Sequence, residues 1–367
     1  MNEMSEGMNR RFAHGGNIYE ANPAQGEWLD FSANINPMGL SSSVRRAIEE
    51  GIPRLVHYPD PSARALKQAI AEHYGAPFAG IVLGNGGAEL FYVLFHTVRP
   101  KRVLLPVPSF SEYERAALSA GAEVVYFPLR EEDDFHLDEE ALCAQMKAGD
   151  CLILGSPNNP TGQRVTRGAL EQVLKEARQK DILTIVDESF MDFCADAADF
   201  TARALCADYD RLIVVQSLTK FFAIPGLRLG FAVASRTLAE RMDAAKDPWN
   251  ANSLAQAAGV AALADEEYQR RTMAWLGVER EFLFSALSAL GGVKAYPPTV
   301  NFILLRLASS WGNAAAFCAL MREKGILLRD CSNYPGLDDT FVRVAVRERE
   351  DNERLLEAFR RIEEEQR

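Results

Sequence analysis

Between Ser62 and Ala234, short apolar runs rich in Val, Ile and Leu alternate with longer stretches whose apolar positions recur at helical spacing. The runs are "IVLGN" (81–85), "RVLLP" (102–106), "EVVYF" (123–127), "CLILG" (151–155), "ILTIVD" (182–187), "RLIVVQS" (211–217) and "LGFAVA" (229–234). Most are apolar almost throughout, not at every second position, which is the pattern of strands covered on both faces. With helix-length amphipathic segments between most of them, the pattern predicts an α/β domain on a largely parallel sheet flanked by helices. After "DPWNANS" (247–253) the texture changes: residues 254–290 read as a long helical region. Two strands, "NFILLRL" and "FVRVAV", then alternate with helices near 312–324 and 351–365, which predicts a smaller α+β domain. The first forty residues, rich in Asn, Gly and Pro, read as an arm that packs on other parts of the assembly. The expected division is an arm over 1–40, a large domain over 41–250 and a small domain over 251–367.

A chain of 367 residues is long enough for two such domains. Its 51 acidic residues outnumber 40 Lys and Arg, and the net charge of −11 argues against a nucleic-acid partner, since phosphate backbones are held mainly by cations. No run of about 18 apolar residues is present to span a bilayer, and the first ten residues hold no signal-peptide core, so a cytoplasmic location is expected. Six cysteines without a C-x-x-C pair and five histidines without an H-x-x-x-H cluster argue against a disulfide framework and against a metal site.

In open α/β sheets, ligands gather at the carboxyl ends of the strands, and four segments fall there. "GNGGAE" (84–89) follows a strand and opens a helix, so it reads either as a tight turn or as an anion site built on free N–H groups and the helix dipole. It is no dinucleotide fingerprint, because Glu89 stands at the third glycine, and no P-loop, because no G-K-[ST] follows. "SPNNPTG" (156–162) is a rigid connection or a device for aiming the Asn159 amide. Asp187 ends a strand and either caps the next helix or holds a proton on a ring nitrogen. "SLTKFFAIPGLRLG" (217–230) sets Lys220 in an apolar turn, where an ammonium is costly unless partnered or converted. The plain reading is a lysine snorkelling to the surface. Its neighbours suggest otherwise: Ser217, Thr219 and the fork of Arg228 suit phosphate oxygens, and a desolvated amine beside Arg228 is a nucleophile toward an aldehyde. Together they call for an aldehyde that carries a phosphate.

In this order, and across almost the whole chain, "GNGGAE", "SPNNPTG", "VDESF", "SLTK" and Arg228 resemble the pyridoxal-phosphate enzymes of the aspartate-aminotransferase fold. The resemblance implies that fold and that cofactor. It gives Lys220 the imine link to the cofactor, Asp187 the pyridinium nitrogen, Asn159 the pyridine hydroxyl and Phe110 the ring face. It gives the cofactor phosphate to Gly86, Gly87, Ala88, Ser217, Thr219 and Arg228, with Tyr58 of "HYPDP" reaching it from a neighbouring subunit, which implies a homodimer. Where such enzymes usually carry a tyrosine three residues after the acid, this chain has Phe190. Arg343 matches the arginine that forks onto the substrate α-carboxylate, with Asn159 beside it. Arg329, with His14 and Asn34 of the arm, stands where a second substrate anion is met, and Arg347 reads as a helix-side ion pair.

Two subgroups of this family act on phosphorylated amino compounds. "HGGNIYEA" (14–21), "LDFSANINPMGL" (29–40), "DESFMDF" (187–193) and "RDCSNYPGLDDTFVRVAVR" (329–347) resemble the threonine-phosphate decarboxylases of cobalamin biosynthesis. That implies decarboxylation of L-threonine O-3-phosphate to (R)-1-amino-2-propanol O-2-phosphate. Histidinol-phosphate aminotransferase is the second reading. A cofactor-binding transcriptional regulator is disfavoured by the charge and by the lack of a basic helix-turn-helix before the body. A catalytically silent scaffold is disfavoured by the presence of Lys220, Asp187 and both arginines.

Overall fold

The computed structural model describes residues 11–24 and 26–365. A two-residue strand in the arm, β1 (Leu29–Asp30), comes first. The large sheet follows: β2 (Ile81–Asn85), β3 (Arg102–Val107), β4 (Glu123–Pro128), β5 (Cys151–Gly155), β6 (Leu183–Asp187), β7 (Leu212–Ser217) and β8 (Leu229–Val233). Its spatial order is β2-β8-β7-β6-β5-β3-β4, and every neighbouring pair is parallel except the two that involve β8. The exception has a physical cause: residues 218–228, between β7 and β8, are too few for the helical crossover that a parallel return needs.

Both faces of this sheet are apolar, which explains the near-continuous runs. Leu104, Leu152, Leu154, Val186, Val214 and Phe231 pack into the core on one face, while Val103, Leu105, Ile153, Ile185, Ile213 and Val215 pack under helices on the other. Each such side chain, fully buried, contributes about 1.5–3 kcal/mol. The two-sided reading fails for β4, an edge strand that leaves Glu123 and Tyr126 exposed.

The smaller sheet holds β9 (Val293–Ala295), β10 (Phe302–Leu307), β12 (Arg329–Asp330) and β13 (Phe341–Ala345) in the antiparallel order β12-β13-β10-β9. Between β10 and β12 lies β11 (Ile326–Leu327), which pairs with β1 instead, Leu29 opposite Ile326. The arm is pinned further where Ala345 N–H donates to the carbonyl of the buried Phe31. The helical region expected over 254–290 is two helices, Ser253–Leu263 and Glu266–Ser288, parted at Asp265. That aspartate caps the second helix, accepting from Tyr268 N–H at 3.0 Å. No helix among the described residues is long and apolar enough to cross a membrane.

Candidate active site

The carboxyl ends of β5, β6 and β7 open into a cleft of about 490 Å³, closed from the far side by the arm and by the smaller sheet. Of the residues read from sequence, it gathers His14, Asn34, Gly87, Ala88, Phe110, Asn159, Asp187, Ser217, Thr219, Lys220, Arg228, Arg329 and Arg343. A hollow of similar size behind it, lined by His73, Tyr74, Asp192 and Arg203, contains none of them.

At the inner end lies an anion cradle. The helix Gly87–Val98 begins at Gly86, whose φ is +82°. That backbone conformation is one that residues with a side chain rarely adopt, and a Cβ on Gly86 would fall 2.1 Å from Arg228 Nη2, so a side chain here would also displace that guanidinium. Ser217 and Thr219 face each other with their hydroxyl oxygens 2.8 Å apart. Glu89 folds back to accept from Asn85 N–H and from Asn250 Nδ2, both at 2.7 Å, so this acid is engaged by the loop itself. Backbone N–H groups at the helix start, two hydroxyls and one guanidinium are the donor set of a phosphate site.

Beside the cradle stands Lys220. Among the described residues its Nζ has no hydrogen bond or ion pair, and it lies 5.3 Å from the ring centroid of Phe190. Burial pushes its pKa down from 10.5 to about 8, the Asp187 charge opposing and the Arg228 charge assisting. Asp187, buried at the end of β6, caps no helix. Its Oδ1 accepts from Ser189 N–H at 2.8 Å and its Oδ2 from the Tyr113 hydroxyl at 2.7 Å. In the "SPNNPTG" segment the two asparagines divide the work. Asn158 is buried and fixes the loop through Pro108 O and Thr161 Oγ1, whereas Asn159 reaches the cleft, where its Oδ1 accepts from Arg343 Nη1 and, at 3.2 Å, from the Tyr334 hydroxyl.

At the outer end, Arg329 and Arg343 lie directly opposite each other in the antiparallel pair β12–β13, and both are buried. Arg343 Nη2 donates to Ser32 O at 2.9 Å, while its buried Nε has no partner among the described residues. Burial lowers the Arg343 pKa from its ordinary value, and the Arg329 charge works in the same direction. Arg329 Nη2 donates to Ala13 O and Asn333 Oδ1, each at 2.8 Å. Like charges directly across a strand pair destabilise it, so this arrangement is suited to a ligand that brings negative charge. Arg347 instead pairs with Asp351 at 2.8 Å, the helix-side ion pair expected.

Tyr58 is not in this cleft. It is exposed, stacks on Trp249 at 4.5 Å and borders a separate hollow with Arg54 and His57. Gly86 abuts the cleft through Arg228. Sequence reasoning missed Tyr113, Tyr334 and Glu112. The i, i+3 spacing of Phe110 and Tyr113 across a helix start was the one available signal for the first.

The sequence model of the aminotransferase class I and II family matches residues 26–359. The threonine-phosphate decarboxylase of Salmonella typhimurium is 39% identical over 95% of this chain and 96% of its own length. The adenosylcobalamin biosynthesis bifunctional protein CobDQ of Leptospira interrogans is 33% identical over 95% of this chain and 41% of its own. Among solved structures, the histidinol-phosphate aminotransferase of Clostridium acetobutylicum superposes with a TM-score of 0.85 at 32% identity, covering 92% of this chain and 99% of that one. The L-threonine-O-3-phosphate decarboxylase of Porphyromonas gingivalis gives 0.81 at 28% identity, covering 91% and 99%.

Proposed function

The chain belongs to the class I and II aminotransferase family, and from that premise we propose that it is a pyridoxal-phosphate-dependent decarboxylase of L-threonine O-3-phosphate in cobalamin biosynthesis. The observation that carries the reading is the in-register pair Arg329 and Arg343 facing Lys220 across one cleft, because a substrate with a carboxylate and a phosphate supplies one anion to each guanidinium. Among full-length sequence relatives, though not among the two solved structures above, similarity favours the same reading over transamination of histidinol phosphate. The Salmonella typhimurium decarboxylase is 39% identical, against 34% for the histidinol-phosphate aminotransferase of Symbiobacterium thermophilum.

The residues fit pyridoxal phosphate. The cradle that a Gly86 side chain would fill takes its phosphate, through Gly87, Ala88, Ser217, Thr219 and Arg228. Lys220 Nζ would hold its aldehyde, the Phe110 ring would lie against its ring, and Asn159 would meet its hydroxyl. Asp187, held by Tyr113 and Ser189, would keep a proton on its ring nitrogen. When bound, the cofactor supplies the electron sink that accepts the charge left at the α-carbon as CO₂ departs. Arg343 and Asn159 grip the carboxylate, and Arg329, His14 and Asn34 hold the phosphate, so the α-carbon is fixed between two anchors. Phe190, backed by Phe302 at 5.0 Å, gives Lys220 Nζ an apolar wall on one side.

A homodimer belongs to this reading, with Tyr58 of a second copy completing the phosphate cradle. Its support is that Tyr58 is exposed beside Ile52, Leu55 and Val56, an apolar surface unusual for a lone chain. The division at 40/41 and 250/251 and a cytoplasmic location belong to it too. The deciding experiment incubates the holoenzyme with phosphothreonine, phosphoserine and, with a keto acid, histidinol phosphate. CO₂ release from phosphothreonine is expected; amine loss from histidinol phosphate without CO₂ from either phosphoamino acid would establish the aminotransferase reading instead.

A further inference from the structure

Glu112 is a buried carboxylate that lines the cleft, and nothing in the reading above uses it. It sits two residues after Phe110, in the first turn of the helix Ser111–Ser119. Its Oε1 meets His14 Nε2 at 2.8 Å and Arg115 Nη1 at 3.4 Å, and its Oε2 accepts from the Tyr92 hydroxyl at 2.8 Å. Although burial works against it, the bonds from His14 and Tyr92 hold its pKa below the ordinary glutamate value, so it stays an anion. Burial and then this same bond push Tyr92 up to about 12, which keeps the phenol a donor.

His14 is half-exposed and depends on this contact for its orientation. Its ring lies 5.6 Å from that of Phe110, tilted by 43°. The rest of the arm is held independently: Arg11 pairs with Glu114, and Ala13 O accepts from Arg329 Nη2 at 2.8 Å. Removing the Glu112 charge therefore loosens the imidazole without releasing the arm.

The geometry points to Glu112 as a positioning residue for the binding of a phosphorylated substrate, by fixing the His14 imidazole in the cleft that Arg115 and Arg329 also line. The inference rests on the reading that a phosphorylated amino acid occupies this cleft. It assigns Glu112 no contact with substrate; its effect passes through His14.

A double-mutant cycle tests it, read as the dissociation constant for the holoenzyme of (R)-1-amino-2-propanol O-2-phosphate, the amine product, which keeps the phosphate and has no carboxylate to lose. Exchanging the charge-assisted bond to His14 for a neutral one should weaken binding about tenfold in Glu112→Gln. His14→Ala should weaken it by a similar factor, and the double variant should be no weaker than His14→Ala alone. Glu112→Asp, which keeps the charge one methylene further back, is the milder variant should the amide not fold, with the same non-additivity expected. Effects that multiply in the double variant, or unaltered binding in both Glu112 variants, would overturn the inference. Wild-type binding of this amine without CO₂ release from phosphothreonine would sink the proposed reaction while leaving the cycle valid, and no wild-type binding at all would sink both.

Discussion

Lys220 is an amine whose burial has drawn its pKa from 10.5 to about 8, and that shift has a sign that can be checked. Between those two values the unfolded chain binds the proton and the folded chain does not, so this group makes stability rise with pH across that window. Below it the folded protein bears the cost of a partly desolvated ammonium. In cofactor-free protein, Lys220→Met should therefore raise the denaturant midpoint more at pH 7 than at pH 10, and an equal gain at both would contradict the assigned burial. Cofactor uptake should speed up with pH around a midpoint near 8, since the free amine is the nucleophile. Phe190 offers a second measurement: its ring stands 5.3 Å from the amine with no hydroxyl to share, so in Phe190→Tyr the absorbance titration of the bound cofactor should move its midpoint. Lys220, Asp187, Asn159 and Arg228 were legible in the sequence because each lies within a short motif whose spacing carries its own chemistry. Tyr113, Tyr334 and Glu112 were not, because each meets its partner across 74, 175 and 98 positions of the chain, and nothing local announces such a meeting.

Strands and helices follow the same division. Seven apolar runs became seven strands of one sheet because two-sided cover leaves a continuous hydrophobic signature. The two-residue strands β1, β11 and β12 are too short to show any period, yet β12 is what sets Arg329 opposite Arg343. The reversed direction of β8 was also hidden, although its consequence is sharp. A Cβ on Gly230 would lie 2.6 Å from Gly87 N, so this strand presses directly on the start of the phosphate-facing helix. Gly230→Ala should push that helix start outward, at a cost of about 1–3 kcal/mol for overpacking. Calorimetry should show a lower Tm, together with at least tenfold weaker cofactor retention on dialysis; a lower Tm with unchanged retention would uncouple the strand from the cradle.

Taken whole, the molecule carries a net charge of −11, yet it exposes Ile52, Leu55, Val56, Tyr58 and Trp249. A charge placed there, as in Val56→Asp, should turn a sedimenting dimer into a monomer and loosen the cofactor, because Tyr58 would no longer reach a neighbour's cradle. A variant that remains dimeric would place the interface elsewhere. The pairing of β1 with β11 has a different bearing, on the order of events at the ribosome. Residues 84–228, which supply the whole intrachain cradle, emerge before Arg329 and Arg343, while Leu29 must wait for Ile326 before its short ladder can close. A nascent chain thus releases the residues of its phosphate cradle well before those of its arginine pair, and Leu29 stays without its ladder partner for nearly three hundred further positions.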